Sequence, residues 1–249
     1  MKDIIILGAG LGSRLRPITD TTPKLLIPVS GRTILRRSLD VLIKDDNVNS
    51  ITIVTGYLSE KIEKAVHNLS KKISTIRNHS YKNTNNMHSL YLAFSAIDMR
   101  NDVIIMNGDC VYDPSILQDV INGEGSTIIS DKSYPINDES MHIDVDNNGN
   151  IRGIAKIHQM NDSPLGDLIV SIDLYRIGKN NLAGLYEILE NFQSRASRNE
   201  WTELALDILI KKLVRDDRPI QPTDINGKIW MEIDNHSDLE KANALFQNT

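Results

Sequence analysis

A glycine-rich segment near the start of the chain has the composition of an anion-binding loop. Residues 7–17 read Leu-Gly-Ala-Gly-Leu-Gly-Ser-Arg-Leu-Arg-Pro, and the apolar residues 4–7 predict a buried strand before the glycines. Glycines directly after a strand let backbone N–H groups surround an anion, which side chains would otherwise block. Arg14 and Lys24 would place two positive charges beside such a loop. We therefore predict a phosphate-binding loop made of Leu7, Gly8, Ala9, Gly10, Leu11, Gly12 and Ser13.

Two well-known phosphate-binding motifs do not fit this loop. A dinucleotide-binding turn has the spacing G-x-G-x-x-G and continues into a long helix. Here the spacing is G-x-G-x-G, and Pro17 stops any helix after one turn at most. A Walker loop is excluded because no Gly-Lys-Ser/Thr sequence follows. A glycine-rich turn without a ligand stays open as an alternative, although the two neighbouring cations argue against it.

The elements that must position this loop alternate between two kinds in the first half of the chain. Short β-branched runs bounded by Gly, Asn or Asp occupy residues 4–7, 51–55, 73–77 and 103–106. Segments with helical periodicity occupy residues 33–44, 59–71 and 86–97. Asn86 is placed to cap the last of these segments. This alternation predicts an α/β fold with a mixed, mostly parallel sheet flanked by helices.

After about residue 125 the pattern becomes richer in strands. Predicted strands occupy residues 126–130, 141–145, 151–157, 168–177 and 228–234, and predicted helices occupy residues 180–193 and 201–214, with a closing helix from Ser237. No repeat or long linker separates this β-rich portion from the first half. We therefore expect a single domain that spans residues 1–249.

Charge and composition argue against several classes of protein. The chain has 33 acidic and 28 basic residues, a net charge of −5, whereas nucleic acid and anionic membranes favour a basic surface. No apolar stretch approaches the roughly 18 residues of a spanning helix, and residues 4–7 are too short for a signal peptide. Cys110 is the single cysteine, which excludes an internal disulfide and a cysteine-based zinc site. We expect a cytoplasmic protein with no nucleic acid or membrane partner, and homo-oligomer formation stays open.

The loop resembles that of the nucleotidyltransferases that activate sugar phosphates and phosphocholine. Their signature is G-x-G-x-R followed by Pro, Thr and Pro-Lys, and it is matched here by Gly10, Gly12, Arg14, Pro17, Thr19, Pro23 and Lys24. Asn107-Gly108-Asp109 resembles the segment that carries the family's first metal-binding aspartate, and Glu232-Ile233-Asp234 resembles its C-terminal metal-binding strand end. The resemblance covers nearly the whole chain and implies a Rossmann-like fold that binds a nucleoside triphosphate. It implies a nucleotide-binding core at residues 1–125 and an acceptor-binding, metal-completing portion at residues 126–249.

Nucleotidyl transfer assigns a task to each of these residues. A phosphate oxygen attacks the α-phosphorus and expels pyrophosphate, so the enzyme must bring two polyanions together, and no general base is needed. Arg14 would neutralise the β- and γ-phosphates, and Lys24 would lie between the α-phosphate and the incoming phosphate. Asp109 and Asp234 would hold Mg²⁺, because facing carboxylates repel each other without a cation. Glu232 either assists the metal or lies on the surface, and a helix-capping role stays open for both aspartates.

Residues 85–92 favour CTP as the nucleotide. Sugar-activating members carry a Gly-Thr-Ala segment at this place, whereas this chain reads Asn-Asn-Met-His-Ser-Leu-Tyr-Leu. That sequence resembles the phosphocholine cytidylyltransferases and their relatives that act on small aminophosphates or aminophosphonates. Asn86 and Ser89 could offer polar groups to the nucleotide from the first turn of the predicted helix, although Asn86 could also serve as its cap.

The acceptor is harder to predict from the residue types. A quaternary ammonium favours a cage of aromatic faces, and the chain has only 2 Trp, 7 Tyr and 3 Phe. Acidic residues that could pair with an amine are Asp131, Asp138, Glu139 and Asp167. We therefore expect a phosphorylated small amine, amino acid or aminophosphonate. The predicted acceptor-binding residues are Tyr112, His158, Asp167 and Trp201.

The leading hypothesis is thus a Mg²⁺-dependent cytidylyltransferase that releases pyrophosphate. A sugar-1-phosphate nucleotidyltransferase that uses UTP or dTTP is an alternative, and the sequence of residues 85–92 argues against it. A non-catalytic, nucleotide-sensing subunit is another alternative. The presence of Lys24, Asp109 and Asp234 argues against that one.

Overall fold

The structure, a computed structural model, describes residues 1–160, 167–193 and 199–247. The strands are β1 (Lys2–Gly8), β2 (Pro28–Val29), β3 (Arg32–Thr33), β4 (Val48–Thr55), β5 (Ile73–Arg77), β6 (Asp102–Asn107), β7 (Cys110–Tyr112), β8 (Thr127–Asp131), β9 (Met141–Val145), β10 (Ile151–Lys156), β11 (Leu168–Ile177), β12 (Thr223–Asp224) and β13 (Trp230–Glu232). The α-helices are α1 (Ile18–Thr21), α2 (Ile34–Leu42), α3 (Ser59–Val66), α4 (Asn86–Phe94), α5 (Pro114–Asn122), α6 (Lys179–Gln193), α7 (Thr202–Arg215) and α8 (His236–Leu245). Within the described ranges, no helix has the length and apolar character needed to cross a membrane.

Nine strands form one mixed sheet, which confirms the predicted α/β fold. Its order is β10-β9-β11-β6-β1-β4-β5, and β8 pairs with both β11 and β12. Strands β6, β1, β4 and β5 run parallel, whereas β11 joins β6 in the antiparallel sense. The β-rich second half therefore continues the sheet that the first half begins.

Side chains on successive residues of β1 point to opposite faces of this sheet, as the two-residue period of a strand requires. Ile5 packs in the hydrophobic cluster that includes residues of α4, α6 and α7. Ile4 packs in the opposite cluster, which includes residues of α2, α3 and α5. Both side chains are fully buried. Helices on both faces explain why the parallel strands read as uninterrupted apolar runs in the sequence.

A third, smaller cluster fixes the segment after the glycine loop. Phe246 and Ala242 at the end of α8 pack with Leu15 and Ile27, all four fully buried. These contacts hold both ends of the stretch that contains Lys24 against the C-terminal helix.

Two details of the predicted elements are wrong. The cap of α4 is Asn85, whose side chain accepts a hydrogen bond from the N–H of Asn86 at 2.8 Å. The Asn86 side chain instead accepts from the N–H of Thr202 at 2.8 Å, which ties the start of α7 to α4. The predicted strand at residues 228–234 is shortened to β13, which pairs with β7 outside the main sheet. The short strands β2, β3, β7 and β12 were not predicted, because two or three residues are too few to show a periodicity.

Candidate functional site

The glycine loop leaves β1 at the carboxyl end of the parallel strands, where such sheets place their ligand sites. Gly8 packs so tightly on Leu25 that a Cβ there would lie 1.8 Å from a Leu25 side-chain carbon. Gly12 has a φ of 62°, and its carbonyl accepts a hydrogen bond from the Thr19 hydroxyl at 2.8 Å. A single 3-10 turn follows at Ser13–Leu15. The long helix of a dinucleotide-binding motif is therefore absent from this described segment, as Pro17 predicts.

Lys24 lies at the centre of a group of charges. Its Nζ atom is 2.9 Å from an oxygen of Asp109 and 2.9 Å from an oxygen of Asp234. The second oxygen of Asp234 is 2.8 Å from the Arg14 guanidinium. Carboxylate oxygens of Asp109, Glu232 and Asp234 lie within 4.8 Å of one another, close enough to bind one metal ion. The structure thus brings together all five residues predicted for catalysis and metal binding.

The short ribbon of β7 and β13 produces this arrangement. Glu232 lies opposite Cys110 in the antiparallel pair, and the N–H of Ile233 donates to the carbonyl of Asp109 at 2.9 Å. Asp109 and Asp234 therefore meet although they are far apart in the sequence. Asn235, not Asp234, caps α8, since its side chain accepts from the N–H of Asp238. That removes the helix-capping alternative for Asp234.

The charges around Lys24 have opposing effects on its pKa and on those of its neighbours. Burial lowers the pKa of Lys24, but the carboxylates of Asp109 and Asp234 raise it well above its usual value. Burial raises the pKa of Asp234, but the charge of Lys24 and then that of Arg14 bring it below its usual value. Burial, followed by the negative charges of nearby aspartates, raises the pKa of Glu232 to about 9. The two carboxylates therefore favour the charged form of Lys24.

A cavity of about 200 Å³, here called the loop cavity, lies on the inner side of the glycine loop. Its lining includes five of the residues predicted to bind nucleotide, namely Leu7, Ala9, Gly10, Asn86 and Ser89. A Cβ added to Gly10 would meet no atom within 4 Å, so this glycine faces open space. The other predicted loop residues are not in the lining, namely Gly8, Leu11, Gly12 and Ser13. Gly8 packs on Leu25, and the side chain of Leu11 is 37% exposed on the outer side.

Asn78 also lines the loop cavity and was missed by the sequence analysis. It is fully buried, and its amide nitrogen donates to the hydroxyls of Thr84 and Ser89, each at 3.1 Å. Its amide oxygen accepts from the N–H of Ser80 at 2.9 Å. All its side-chain hydrogen bonds thus serve to orient residues around the cavity. Its position directly after β5, at the carboxyl end of a parallel strand, is the signal that could have identified it.

A second cavity of about 400 Å³, here called the acidic cavity, continues from the first. The two share four residues, namely Asn85, Asn86, Asn107 and Asp109. The acidic cavity also contains Arg14, Asp234 and Glu232, and it extends to residues of the second half of the chain, namely Glu139, Ser140, Met141, Lys156, Ser171, Asp173, Trp201, Glu203 and Trp230. Asp109, a partner of Lys24, therefore lies where the two cavities meet.

Of the four predicted acceptor-binding residues, the structure brings only Trp201 into the acidic cavity. Tyr112 is buried on β7, and its hydroxyl lies 3.1 Å from the carbonyl oxygen of Ile172 and 3.3 Å from that of Asp173, outside the lining of the cavity. His158 is exposed in a 3-10 turn after β10. Asp167 forms an ion pair with Arg152 at 3.1 Å instead. The structure thus does not bring these three residues into the lining of the acidic cavity, and their role in acceptor binding stays a prediction.

Two acidic residues of the cavity were not predicted. Asp173 is 9% exposed and Glu203 is 4% exposed, and the hydroxyl of Tyr175 lies 3.0 Å from the first and 2.8 Å from the second. Asp173 has a φ of 57°, at an irregularity in the pairing of β11 with β8 between Ser171 and Tyr175. Burial, followed by the charges of Glu203 and Asp109, raises the pKa of Asp173 to about 8. An aspartate within the apolar run of residues 168–177 was a usable signal in the sequence.

A family model and known proteins match this chain over more than half of its length. A family model described as nucleotidyl transferase matches residues 3–152. A CTP:phosphoglutamine cytidylyltransferase of Campylobacter jejuni is 28% identical over 255 residues, which cover 95% of this chain and 97% of that protein. A bifunctional protein GlmU of Methanococcus maripaludis is 28% identical over 246 residues, which cover 99% of this chain and 54% of that protein. The chain thus spans about half the length of its GlmU relatives.

A solved structure shares the same fold over nearly the full length of both chains. It is that of a CTP:phosphocholine cytidylyltransferase from Streptococcus pneumoniae. The alignment covers 98% of each chain with a TM-score of 0.77, and the sequences are 21% identical.

Proposed function

The chain belongs to the nucleotidyl transferase family, and on that premise we propose that it transfers CMP from CTP to a small phosphorylated amine, amino acid or aminophosphonate. The observation that carries the proposal is the position of Lys24. Its ammonium group lies 2.9 Å from Asp109, which lines both the loop cavity and the acidic cavity, and 2.9 Å from Asp234, which lines the acidic cavity. A cation beside Asp109 is suited to a reaction in which two phosphates must approach each other.

The proposed reaction is an in-line substitution at the α-phosphorus of CTP. An acceptor oxygen forms a bond to this phosphorus while the bond to the bridging oxygen of the β-phosphate breaks, and pyrophosphate leaves. Lys24 would neutralise the α-phosphate and the incoming phosphate, and its raised pKa favours the charged form. Arg14 would bind the departing phosphates from the loop side, where its side chain is 64% exposed and paired with Asp234.

The acidic group fits a hard divalent cation. Asp109, Glu232 and Asp234 would hold Mg²⁺, since each offers a carboxylate oxygen within 4.8 Å of the others. When bound, the ion would supply positive charge to the triphosphate. We further propose that residues 1–125 bind the nucleotide and residues 126–249 bind the acceptor and complete the metal site, within a single domain.

The preference for CTP is supported by residues 85–92 and by the similarity to the phosphoglutamine enzyme. Asn86 and Ser89 lie in the lining of the loop cavity, where a nucleotide that follows the glycine loop would reach them. An acceptor with a positive group is supported by the acidic cavity, which has carboxyl groups of Asp173, Glu203 and Glu232.

The test is a pyrophosphate-release assay with Mg²⁺ that combines CTP, UTP, dTTP, ATP and GTP with a panel of acceptors. The panel contains phosphoethanolamine, phosphocholine, 2-aminoethylphosphonate, phosphorylated amino acids and glucose-1-phosphate. We expect turnover with CTP and an amine-bearing acceptor. Turnover only with UTP or dTTP and glucose-1-phosphate would contradict the proposal and favour the sugar-1-phosphate alternative. Binding of nucleotide without any turnover would favour the nucleotide-sensing alternative.

A further inference from the structure

The acidic cavity has a shortage of positive charge at its inner end. Asp173 and Glu203 are both at least nine-tenths buried there, and in the described ranges no Lys, Arg or His forms an ion pair with either within 4.0 Å. The hydroxyl of Tyr175 is hydrogen-bonded to both. A hydroxyl has a single hydrogen and can donate to only one carboxylate. Tyr175 therefore serves one of the two carboxyls at a time, and the backbone N–H of Glu203 is a further donor to the Glu203 carboxylate.

The positive charges that line the cavity make their close contacts with other groups, although the charge of Lys156 also acts on Asp173 and Glu203 in the direction that lowers their pKa values. Arg14 is paired with Asp234. The Lys156 ammonium donates to the carbonyl of Glu139, and it lies over the ring of Trp201, 5.7 Å from the ring centroid. A ligand that brings its own cation would supply the missing charge.

We infer that the acceptor carries an ammonium group with N–H donors, and that Asp173 and Glu203 bind this group. The inference rests on the proposed function and specifies the substrate class of the same site. Two observations relate the carboxyl pair to the reacting groups. The cavity adjoins the Lys24 group, so that an acceptor with its phosphate at Lys24 extends toward these two carboxyls. Asn86 also fixes the start of α7 through its bond to Thr202, which places Glu203 relative to the catalytic end of the cavity.

The aromatic lining does not suit a quaternary ammonium. Such a group has no N–H donor and favours a cage of aromatic faces. Among the described residues the cavity is lined by only two aromatic side chains, Trp201 and Trp230. The Trp201 ring already has the Lys156 ammonium over it. Trp230 packs on Tyr134 at 5.3 Å, and its indole N–H donates to Asp131. The carboxyl pair, in contrast, can accept two hydrogen bonds from an ammonium group. Hydrogen bonds with an ionised donor or acceptor are stronger than those between neutral groups.

The test uses acceptors that retain the charge and lose the donors one at a time. With CTP held constant, kcat/KM is measured for phosphoethanolamine, its mono- and dimethyl derivatives, phosphocholine, and ethyl phosphate as the control that lacks an ammonium group. We expect kcat/KM to fall along the methylated series and to be roughly tenfold or more lower for phosphocholine than for phosphoethanolamine. Equal or better use of phosphocholine would overturn the inference while leaving the cytidylyltransferase proposal in place. If none of the amine-bearing acceptors is turned over, both this inference and the cytidylyltransferase proposal are overturned.

Two variants assign the effect to the carboxyl pair. Asp173→Asn and Glu203→Gln should each raise the KM for phosphoethanolamine by roughly ten- to a hundredfold, with the KM for CTP unchanged. Asp207→Asn is the matched control. Asp207 is on the same helix as Glu203, but it bonds to Lys211 and to the N–H of Ile154 outside this cavity. An unchanged KM for phosphoethanolamine in both variants would overturn the assignment, and thermal melting of each variant identifies any that fails to fold.

Discussion

Replacement of Lys24 by methionine tests the centre of the proposed site. The substitution keeps most of the length of the side chain and removes the ammonium group that is 2.9 Å from both Asp109 and Asp234. Loss of one preorganised group that stabilises transition-state charge costs roughly 10²–10³ in turnover. Since each tenfold change corresponds to about 1.4 kcal/mol, the barrier should rise by roughly 3–4 kcal/mol. We expect kcat to fall by this factor in the pyrophosphate-release assay.

The same variant should change metal binding in the absence of nucleotide. In the wild type, the ammonium group lies between two carboxylates of the acidic group. Without it, three carboxyl groups whose oxygens lie within 4.8 Å of one another keep only the Arg14 guanidinium at Asp234 as a close positive charge, so their affinity for a divalent cation should increase. Calorimetric titration with Mn²⁺ measures this directly.

The control for both measurements is Lys61→Met. Lys61 is on α3, away from the acidic cavity, and it bonds to the carbonyl of Thr21. It should have normal turnover and normal Mn²⁺ affinity. A Lys24→Met enzyme with kcat within threefold of the wild type would refute the role of Lys24. Unchanged Mn²⁺ affinity would refute the competition between the ammonium group and the metal.

Three other predictions concern the loop cavity and the stability of the fold. Asn78→Asp removes the donors that hold Ser89 and should raise the KM for CTP several-fold in steady-state kinetics, and an unchanged KM for CTP would contradict this. Arg176→Met removes a buried guanidinium that donates to three carbonyls in the last turn of α5 and just after it, namely those of Val120, Glu124 and Gly125. Urea unfolding should show a loss of roughly 2–4 kcal/mol, whereas a loss below about 1 kcal/mol would be too small for this role. Burial raises the pKa of Asp102, but its bond to Lys2 and the N–H donors around it bring the pKa below its usual value. This bond should therefore stabilise the fold at pH values above the usual aspartate pKa, and its effect should be lost as the pH falls through the lowered pKa of Asp102. The free energies of unfolding of Asp102→Asn and of the wild type should accordingly become equal in acid.

The sequence was sufficient to predict the α/β fold and the five charged residues of the Lys24 group. Buried parallel strands read as apolar runs because both faces of the sheet are covered, and this pattern is local. The conformation of the glycine loop is also determined locally, since the residues from Gly8 to Lys24 adopt conformations that glycine and proline impose on their own neighbours. The resemblance to nucleotidyltransferases then joined this motif to Asp109, Glu232 and Asp234.

Only the tertiary structure decided which side chains line the acidic cavity. Tyr112 and Asp167 have suitable chemistry, but the first lies outside the lining of the cavity and the second pairs with Arg152. Asp173 and Glu203 come from a strand and a helix that meet only after β11 has joined the sheet and α7 has packed beside α4. The direction of a side chain depends on an irregularity such as the one at Asp173, and its charge state depends on burial among distant groups. Both are products of long-range packing, which no spacing of residues along the chain records.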